Sequence, residues 1–362
     1  MRLPLLVVLP AVASLALARP AAAQPAGPDL TLDAATRAKV IDASLAALTR
    51  YYVFPEVAGK MAAEIRRHVA AKKYDALTSA RAFAEALTTD LRAVSRDKHL
   101  RVIFSPEPIP DRKPDAPPPP FDDVERFREQ MRFWNAGYVK AERLDGNIGY
   151  LRLDGFVPVA EAAPRAAAAM TLLADTGALI IDLRWNGGGD PASVALLVSY
   201  LFAAEDQRHI NDIYWRPDNS TKQYWTYPDL SGKRYPDKPV YVLTSKDTFS
   251  GAEEFAYDVQ NLKRATLVGE VTGGGANPGG PEKVHPHFMV NVPRGRAISP
   301  VTKTNWEGTG VRPEVAVPAE RALDTAYLAA LEKVRPTIDD KRRPGMAKEI
   351  DDAIAKLRPA KK

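Results

Sequence analysis

The sequence predicts an α/β protein in which a small helical unit precedes a mostly parallel sheet carrying packed helices. Three observations predict it. From about Asn147 onward, short apolar runs alternate with stretches of helical period. Ahead of them lie three runs of purely helical period. Between the two, eight prolines fall from Pro106 to Pro120, a composition that keeps a chain extended and semi-rigid.

The elements follow in order. "MRLPLLVVLPAVASLALARPAAAQ" has a positive start at Arg2, an apolar run from Leu3 to Leu17 and small residues at Ala21 to Ala23. That is the pattern of an export signal, 1–23, cleaved before Gln24, and the expected location is periplasmic or secreted. Pro4 and Pro10 disfavour a membrane helix there, and no later run reaches the roughly 20 apolar residues of a span. Stable membrane insertion is therefore not expected. With no cysteine, neither a lipid-anchored cysteine nor a disulfide framework is available.

The helical unit, 24–105, repeats apolar residues at Val40/Ile41, Leu45 and Leu48, then Val57, Met61, Ile65 and Val69, then Phe83, Leu87, Leu91 and Val94. Thr78 or Ser79 caps the third run, and Leu100, Val102 and Phe104 alternate as a short strand. The proline-rich stretch, 106–140, reads as a linker. In the α/β unit, 141–335, "NIGYLRL", "ALIIDL", "VYVLT" and "ATLVGEV" are strands. Ala160 to Asp175, interrupted by Pro164, Pro191 to Phe202, Gly251 to Leu262 and Ala319 to Val334 are helices. "HFMVNV" and "GRAIS" form a β excursion. The tail, 336–362, reads as a solvated basic helix.

Formal charge is +5, but Lys341 to Lys362 alone hold eight Lys/Arg against three Asp/Glu. The basic balance belongs to the tail, so it is poor support for nucleic-acid binding.

Two glycine runs follow strands. "NGGGD" (Asn186 to Asp190) leads into a helix and can present backbone amides to an anion; it has no Walker lysine and does not fit G-x-G-x-x-G, which sets nucleotide binding aside. What remains is an oxyanion hole or a tight turn. "TGGGANPGG" (Thr272 to Gly280) reads equally as a flexible loop or a site. Ser250 and Glu253 are spaced S-x-x-E, a capping box, so the serine is a helix cap or a nucleophile on local grounds. Of the five histidines, His68 lies on a charged helix face and reads as solvated, and His209 follows a helix end. His285 and His287 flank a proline without a completing ligand set, and His99, at a helix-to-strand junction, is the best placed for chemistry.

"IIDLRWNGGG", "VLTSKDTFSGAEEFA", "LVGEVTGGGANPGG" and "NWEGTGVRPEV", in that order, resemble the tail-specific protease superfamily of serine peptidases. That superfamily includes the C-terminal-processing proteases, the tricorn protease core and the repeats of interphotoreceptor retinoid-binding protein. The helical unit ending in "DKHL" is similar to the N-terminal domain of the retinoid-binding branch. The resemblance implies a fold akin to Clp protease and crotonase. It implies Ser250 as nucleophile, with Gly251 and either Gly187 or Gly188 as oxyanion hole. In the processing branch a lysine serves as base, but Gly275 stands in its place here, so a Ser-Lys dyad would need Lys283 or another lysine. In the tricorn branch a histidine and a glutamate serve, and His99 and Glu307 fit those places. The segment between His99 and Asn147 is too short for the PDZ domain of the processing branch.

The implied activity is hydrolysis of peptide bonds in a peptide or protein substrate, with no metal and no cofactor. The competing expectation is a catalytically silent carrier of a retinoid, fatty acid or other apolar ligand, with Trp185, Trp215, Trp225 and Tyr224 available to line a pocket, although core packing is the ordinary fate of such aromatics. The sequence leaves the oligomeric state open.

Overall fold

The computed structural model describes residues 27–111 and 121–358. The expected export signal lies outside them, as do 112–120 of the proline-rich stretch. The three apolar stripes become α1 (Ala34–Tyr51), α2 (Pro55–Ala70) and α3 (Ala80–Ser95). Val40, Leu48, Met61, Ile65, Phe83, Leu87 and Leu91 are fully or almost fully buried, each contributing about 1.5–3 kcal/mol relative to exposure. Of the two caps expected for α3, Ser79 is used; its hydroxyl accepts the Ala82 N–H at 3.0 Å. Then comes β1 (Arg101–Phe104), whose alternation turns Val102 and Phe104 inward.

The stretch read as linker carries more structure than its prolines imply. α4 (Phe121–Phe133) occupies its second half, with Phe127 packed on the main core and Met131 buried. Val124, Phe127 and Met131 keep a helical spacing that the proline count masks. The sheet unit follows as β2 (Tyr138–Leu144), β3 (Ile148–Leu153), α5 (Val159–Leu173), β4 (Ala178–Asp182) and α6 (Pro191–Ser199). Next are β5 (His209–Trp215), β6 (Ser220–Trp225), β7 (Val240–Thr244), α7 (Gly251–Asn261) and β8 (Thr266–Gly269). Last come β9 (Gly279–His285), β10 (Phe288–Pro293), β11 (Gly295–Ile298), β12 (Val315–Ala316), α8 (Ala319–Val334) and α9 (Pro344–Leu357). α5 runs through Pro164 without the expected interruption.

The principal sheet has the order β12-β8-β7-β4-β3-β2, parallel throughout except for β2, the antiparallel edge. α5, α6 and α7 share a core with one face, and α8 and α9 with the other. The basic tail is therefore not merely solvated. Ala347, Ile350, Ala353 and Ile354 of α9 are buried, and Glu349 accepts the Gly146 N–H at 2.8 Å. Its charges hid an amphipathic helix.

Two features position the site. β4, β7 and β8 are adjacent parallel strands, so the loops after their carboxyl ends meet at one edge. These loops are the two glycine runs and the turn before Ser250. The helical unit is joined to this edge through β1, which pairs antiparallel with β10, itself paired to β9. Phe288, Val290 and Val292 lie in the helical unit's core, so β10 of the expected β excursion completes that unit, whereas β11 pairs antiparallel with β5.

Candidate active site

The turn between β7 and α7 is wired onto the loop after β4. Ser245 and Thr248 donate their hydroxyls to the carbonyls of Arg184 (2.5 Å) and Leu183 (2.8 Å), and the Phe249 N–H reaches Asn186 O at 3.0 Å. Ser250 then adopts φ 54°, ψ −121°, a left-handed conformation that costs a non-glycine residue of order 1–3 kcal/mol and is typical of functional sites. Gly188 makes the approach possible. At φ +98°, a β-carbon there would stand 2.5 Å from the Gly251 nitrogen and 2.7 Å from Ser250 Cβ.

The half-buried hydroxyl of Ser250 meets Nε2 of His99 at 3.0 Å, across 151 residues of sequence. His99 sits where α3 ends at Arg96 in the left-handed region (φ 59°) and the chain turns into β1. Its ring lies on Phe249, centroids 4.7 Å apart. Asn291 on β10 holds its carbonyl at 2.7 Å. Burial pushes the imidazole below its ordinary range, with Asp97 opposing and Arg92 assisting, which favours its neutral form.

Glu253 is buried one turn into α7. Its Oε2 accepts the N–H groups of Ser250 (2.9 Å) and Gly275 (2.8 Å); its Oε1 accepts the Thr272 hydroxyl and the Gly274 N–H, both at 2.5 Å. The glutamate of the expected capping box thus also pins the second glycine run to the start of α7. Burial pushes it up to about 7 despite these four donors.

Glu307 comes to the same place but does not hydrogen-bond His99. Its Oε2 takes the Ala276 N–H at 2.5 Å, while Oε1 and Nδ1 of His99 are both buried without a partner. Asp97 completes the group. Its Oδ1 lies 4.0 Å from His99 Nδ1, and one ligand atom from each of Asp97, His99 and Glu307 lies within 4.8 Å of the others. That spacing also suits a divalent cation, but Asp97 already accepts from Tyr52, Asn277 and the His99 amide, the pattern of a carboxylate held in place by hydrogen bonds. Sequence reasoning missed Asp97 and Asn277; Asp97's signal was its place two residues before the histidine in one tight turn.

Of the glycines expected at an oxyanion hole, Gly188 spends its N–H on Asn186 Oδ1 at 2.8 Å. The Gly251 N–H, at the first helical position, has no intrahelical acceptor, and Gly187 N–H has no acceptor among the described residues. Lys283 is engaged elsewhere. Lys283 Nζ bonds Ile109 O (2.5 Å) and Asp111 (2.6 Å). A β-carbon on Gly275 would stand 2.8 Å from His99 Cε1, so a side chain there must displace the rings of His99 and Phe249.

The other histidines are held structurally. His68 is half-buried rather than solvated and bonds Asp90 at 3.1 Å. His209 opens β5, bonds Asp212 and stacks on Trp225, with centroids 4.3 Å apart. His287 Nδ1 bonds Ser105 O at 3.0 Å. Trp185 lies under Arg152 and Arg184, and Tyr224 is part of the main core.

Residues 147–317 match the model of peptidase family S41, and residues 30–133 match the N-terminal domain of Peptidase_S41 in eukaryotic IRBP. The carboxyl-terminal-processing protease of Synechocystis sp. is 33% identical over 141 residues, 38% of this chain and 31% of that protein. The match thus spans under a third of that relative's length. Among solved structures, a lipoprotein from Streptococcus agalactiae aligns with TM-score 0.55 at 13% identity over 87% of this chain and 99% of that one. A protein from Parabacteroides merdae aligns with TM-score 0.52 at 18% identity, over 89% and 97%. The architecture is the Clp protease and crotonase-like α/β fold behind a helical N-terminal domain. The chain belongs to peptidase family S41, with both its α/β domain and the N-terminal domain that accompanies it.

Proposed function

We propose that this protein is an exported serine peptidase that hydrolyses peptide bonds of a peptide or protein substrate. The observation that carries the reading is the 3.0 Å contact between Ser250 Oγ and His99 Nε2. Serine is a weak nucleophile until an adjacent base accepts its proton. His99 takes that proton as Oγ bonds the substrate carbonyl carbon, then returns it to the leaving amine. The N–H of Gly251, with Gly187 or Gly188, faces the negative charge that develops on the carbonyl oxygen. Since Gly188 already donates to Asn186, Gly187 is the better second donor. Glu307, the acid of the expected triad, stands with Asp97 in one group beside the imidazole. Export is supported by the N-terminal residue pattern, and intact mass of the protein from the cell envelope tests it, a retained Met1 being the contrary result.

A serine-reactive phosphonate probe tests the activity. Labelling at Ser250, lost in both Ser250→Ala and His99→Ala, together with hydrolysis of an unfolded protein substrate, is the expected result. Absence of labelling with tight binding of a retinoid or fatty acid would instead support a silent carrier.

A further inference from the structure

His99 is delivered by a turn that also delivers a carboxylate. Asp97 is 1% exposed. Its Oδ1 accepts the His99 backbone N–H at 2.9 Å, and its Oδ2 accepts Tyr52 Oη at 3.2 Å and Asn277 Nδ2 at 3.0 Å. Donors from the end of α1, from its own turn and from the second glycine run converge on this one group. Three donors fix the position of this carboxylate and leave its oxygens facing N–H and O–H groups. Glu307, the third member of the group, has a buried Oε1 with no donor among the described residues, and Nδ1 of His99 has no acceptor among them. Two ionised carboxylates this close repel strongly in a buried setting, whereas one proton between them relieves the repulsion.

We propose that Asp97 and Glu307 form a one-proton carboxyl pair behind His99, in which Asp97 is the anionic positioning residue that holds the Nδ1–H tautomer and Glu307 is its protonated partner. The assignment rests on the Ser250–His99 reading above. It gives the two acids different duties. When Nε2 takes the Ser250 proton, the imidazolium faces a single fixed negative charge at Asp97, and the same proton leaves with the amine, so the pair itself neither gains nor loses one. Glu307 fills the remaining volume as a neutral acid. Burial and the neighbouring Asp97 charge push Glu307 up to about 8, which agrees with the geometry. The other ionisable groups facing this cluster are Tyr52 at the end of α1, Arg92 on α3 and Glu253 on α7. Arg92 is the cation among them, and its guanidinium is spent on the carbonyls of Lys98 and Leu100.

The test compares Asp97→Asn and Glu307→Gln in the full-length enzyme, with kcat and KM measured from pH 5 to 10. Asp97→Asn should lose about a hundredfold or more in kcat at pH 7, with KM nearly unchanged. Glu307→Gln should lose less than about tenfold, because glutamine reproduces a neutral carboxyl, and the double variant should be little worse than Asp97→Asn. Near-parental kcat in Asp97→Asn with a hundredfold loss in Glu307→Gln would overturn the pair and leave Glu307 as the sole orienting acid. Should Asp97→Asn fail to fold, ¹⁵N-histidine NMR of the parent decides. A proton on Nδ1 of His99 at pH 7 agrees with the proposal, and a proton on Nε2 with bare Nδ1 contradicts it. Full activity in Ser250→Ala or His99→Ala would instead remove the underlying reading, and the pair with it.

Discussion

The two glycine runs look alike in sequence and behave differently in the fold. In the first, Gly188 lies against the turn that carries Ser250, and Gly187 and the facing Gly251 retain backbone N–H groups without acceptors among the described residues. In the second, the N–H groups of Gly274, Gly275 and Ala276 are taken by Glu253 and Glu307. One run keeps N–H groups that the proposed mechanism gives to a reacting oxygen; the other spends its donors on carboxylates and so fixes where Glu253 and Glu307 stand. Glycine serves the first run by permitting positive φ and close backbone approach, and it serves Gly275 by leaving room for His99.

The contrast breaks most severely at Gly188. Gly188→Ala would drive a methyl into the Gly251 nitrogen and Phe249 O while forcing alanine to φ +98°, and backbone cannot yield as a side chain can. Turnover should fall by about a hundredfold or more, since a displacement near 1 Å at reacting groups costs that much. Steady-state kinetics on the folded variant check it. At Gly275 the methyl would meet the rings of Phe249 (2.3 Å) and His99 (2.8 Å), which can tilt. Gly275→Ala should therefore lose roughly tenfold to a hundredfold in kcat and retain Ser250 labelling at high probe concentration.

Much of this was legible beforehand, and for physical reasons. The helical stripes of α1 to α3 and the apolar strands β3, β4 and β7 announce themselves because burial imposes a period on the residues. Ser250, His99 and the first glycine run were legible through ordered motifs. The duty of the second run was not, because it depends on Glu253 and Glu307 reaching back over a distance no local pattern encodes. Asp97 was missed although it stands two residues before His99, since two of its three donors, Tyr52 and Asn277, are remote in sequence. The hairpin of β5 and β6 was overlooked, its strands being polar and short of a clear alternation. α4 and α9 were masked by prolines and by charge.

Glu253→Gln sharpens the comparison through stability. The glutamine amide would face backbone N–H groups in place of one carboxylate oxygen, at a cost of about 1–3 kcal/mol for the unsatisfied donors. Its pH dependence has a fixed sign. The native pKa, about 7, exceeds the ordinary value of 4.5, so the folded state holds this proton more tightly and the parent loses stability as pH rises between those values. The variant lacks that loss, so its deficit in denaturant melts should be largest near pH 5 and shrink toward pH 8. The smallest effect on turnover belongs to a region outside both runs. Ile350→Ala in α9 should cost about 2–5 kcal/mol in unfolding free energy, measured by denaturation, yet leave kcat of the folded enzyme unchanged.

The central claim is that the helical unit supplies the base to a nucleophile held by the sheet unit. The most direct measurement is kcat/KM of His99→Ala beside Ser250→Ala over a range of pH, with His68, His209, His285 and His287 replaced singly as controls. The account predicts that the two variants fold normally and lose turnover to a similar depth, because members of such a unit do not act additively. It also predicts that the parent's acid limb has a midpoint below about 6.5, as the burial of His99 requires. Near-parental turnover in His99→Ala, with activity abolished by Lys283→Ala, would contradict it and transfer the base to a lysine.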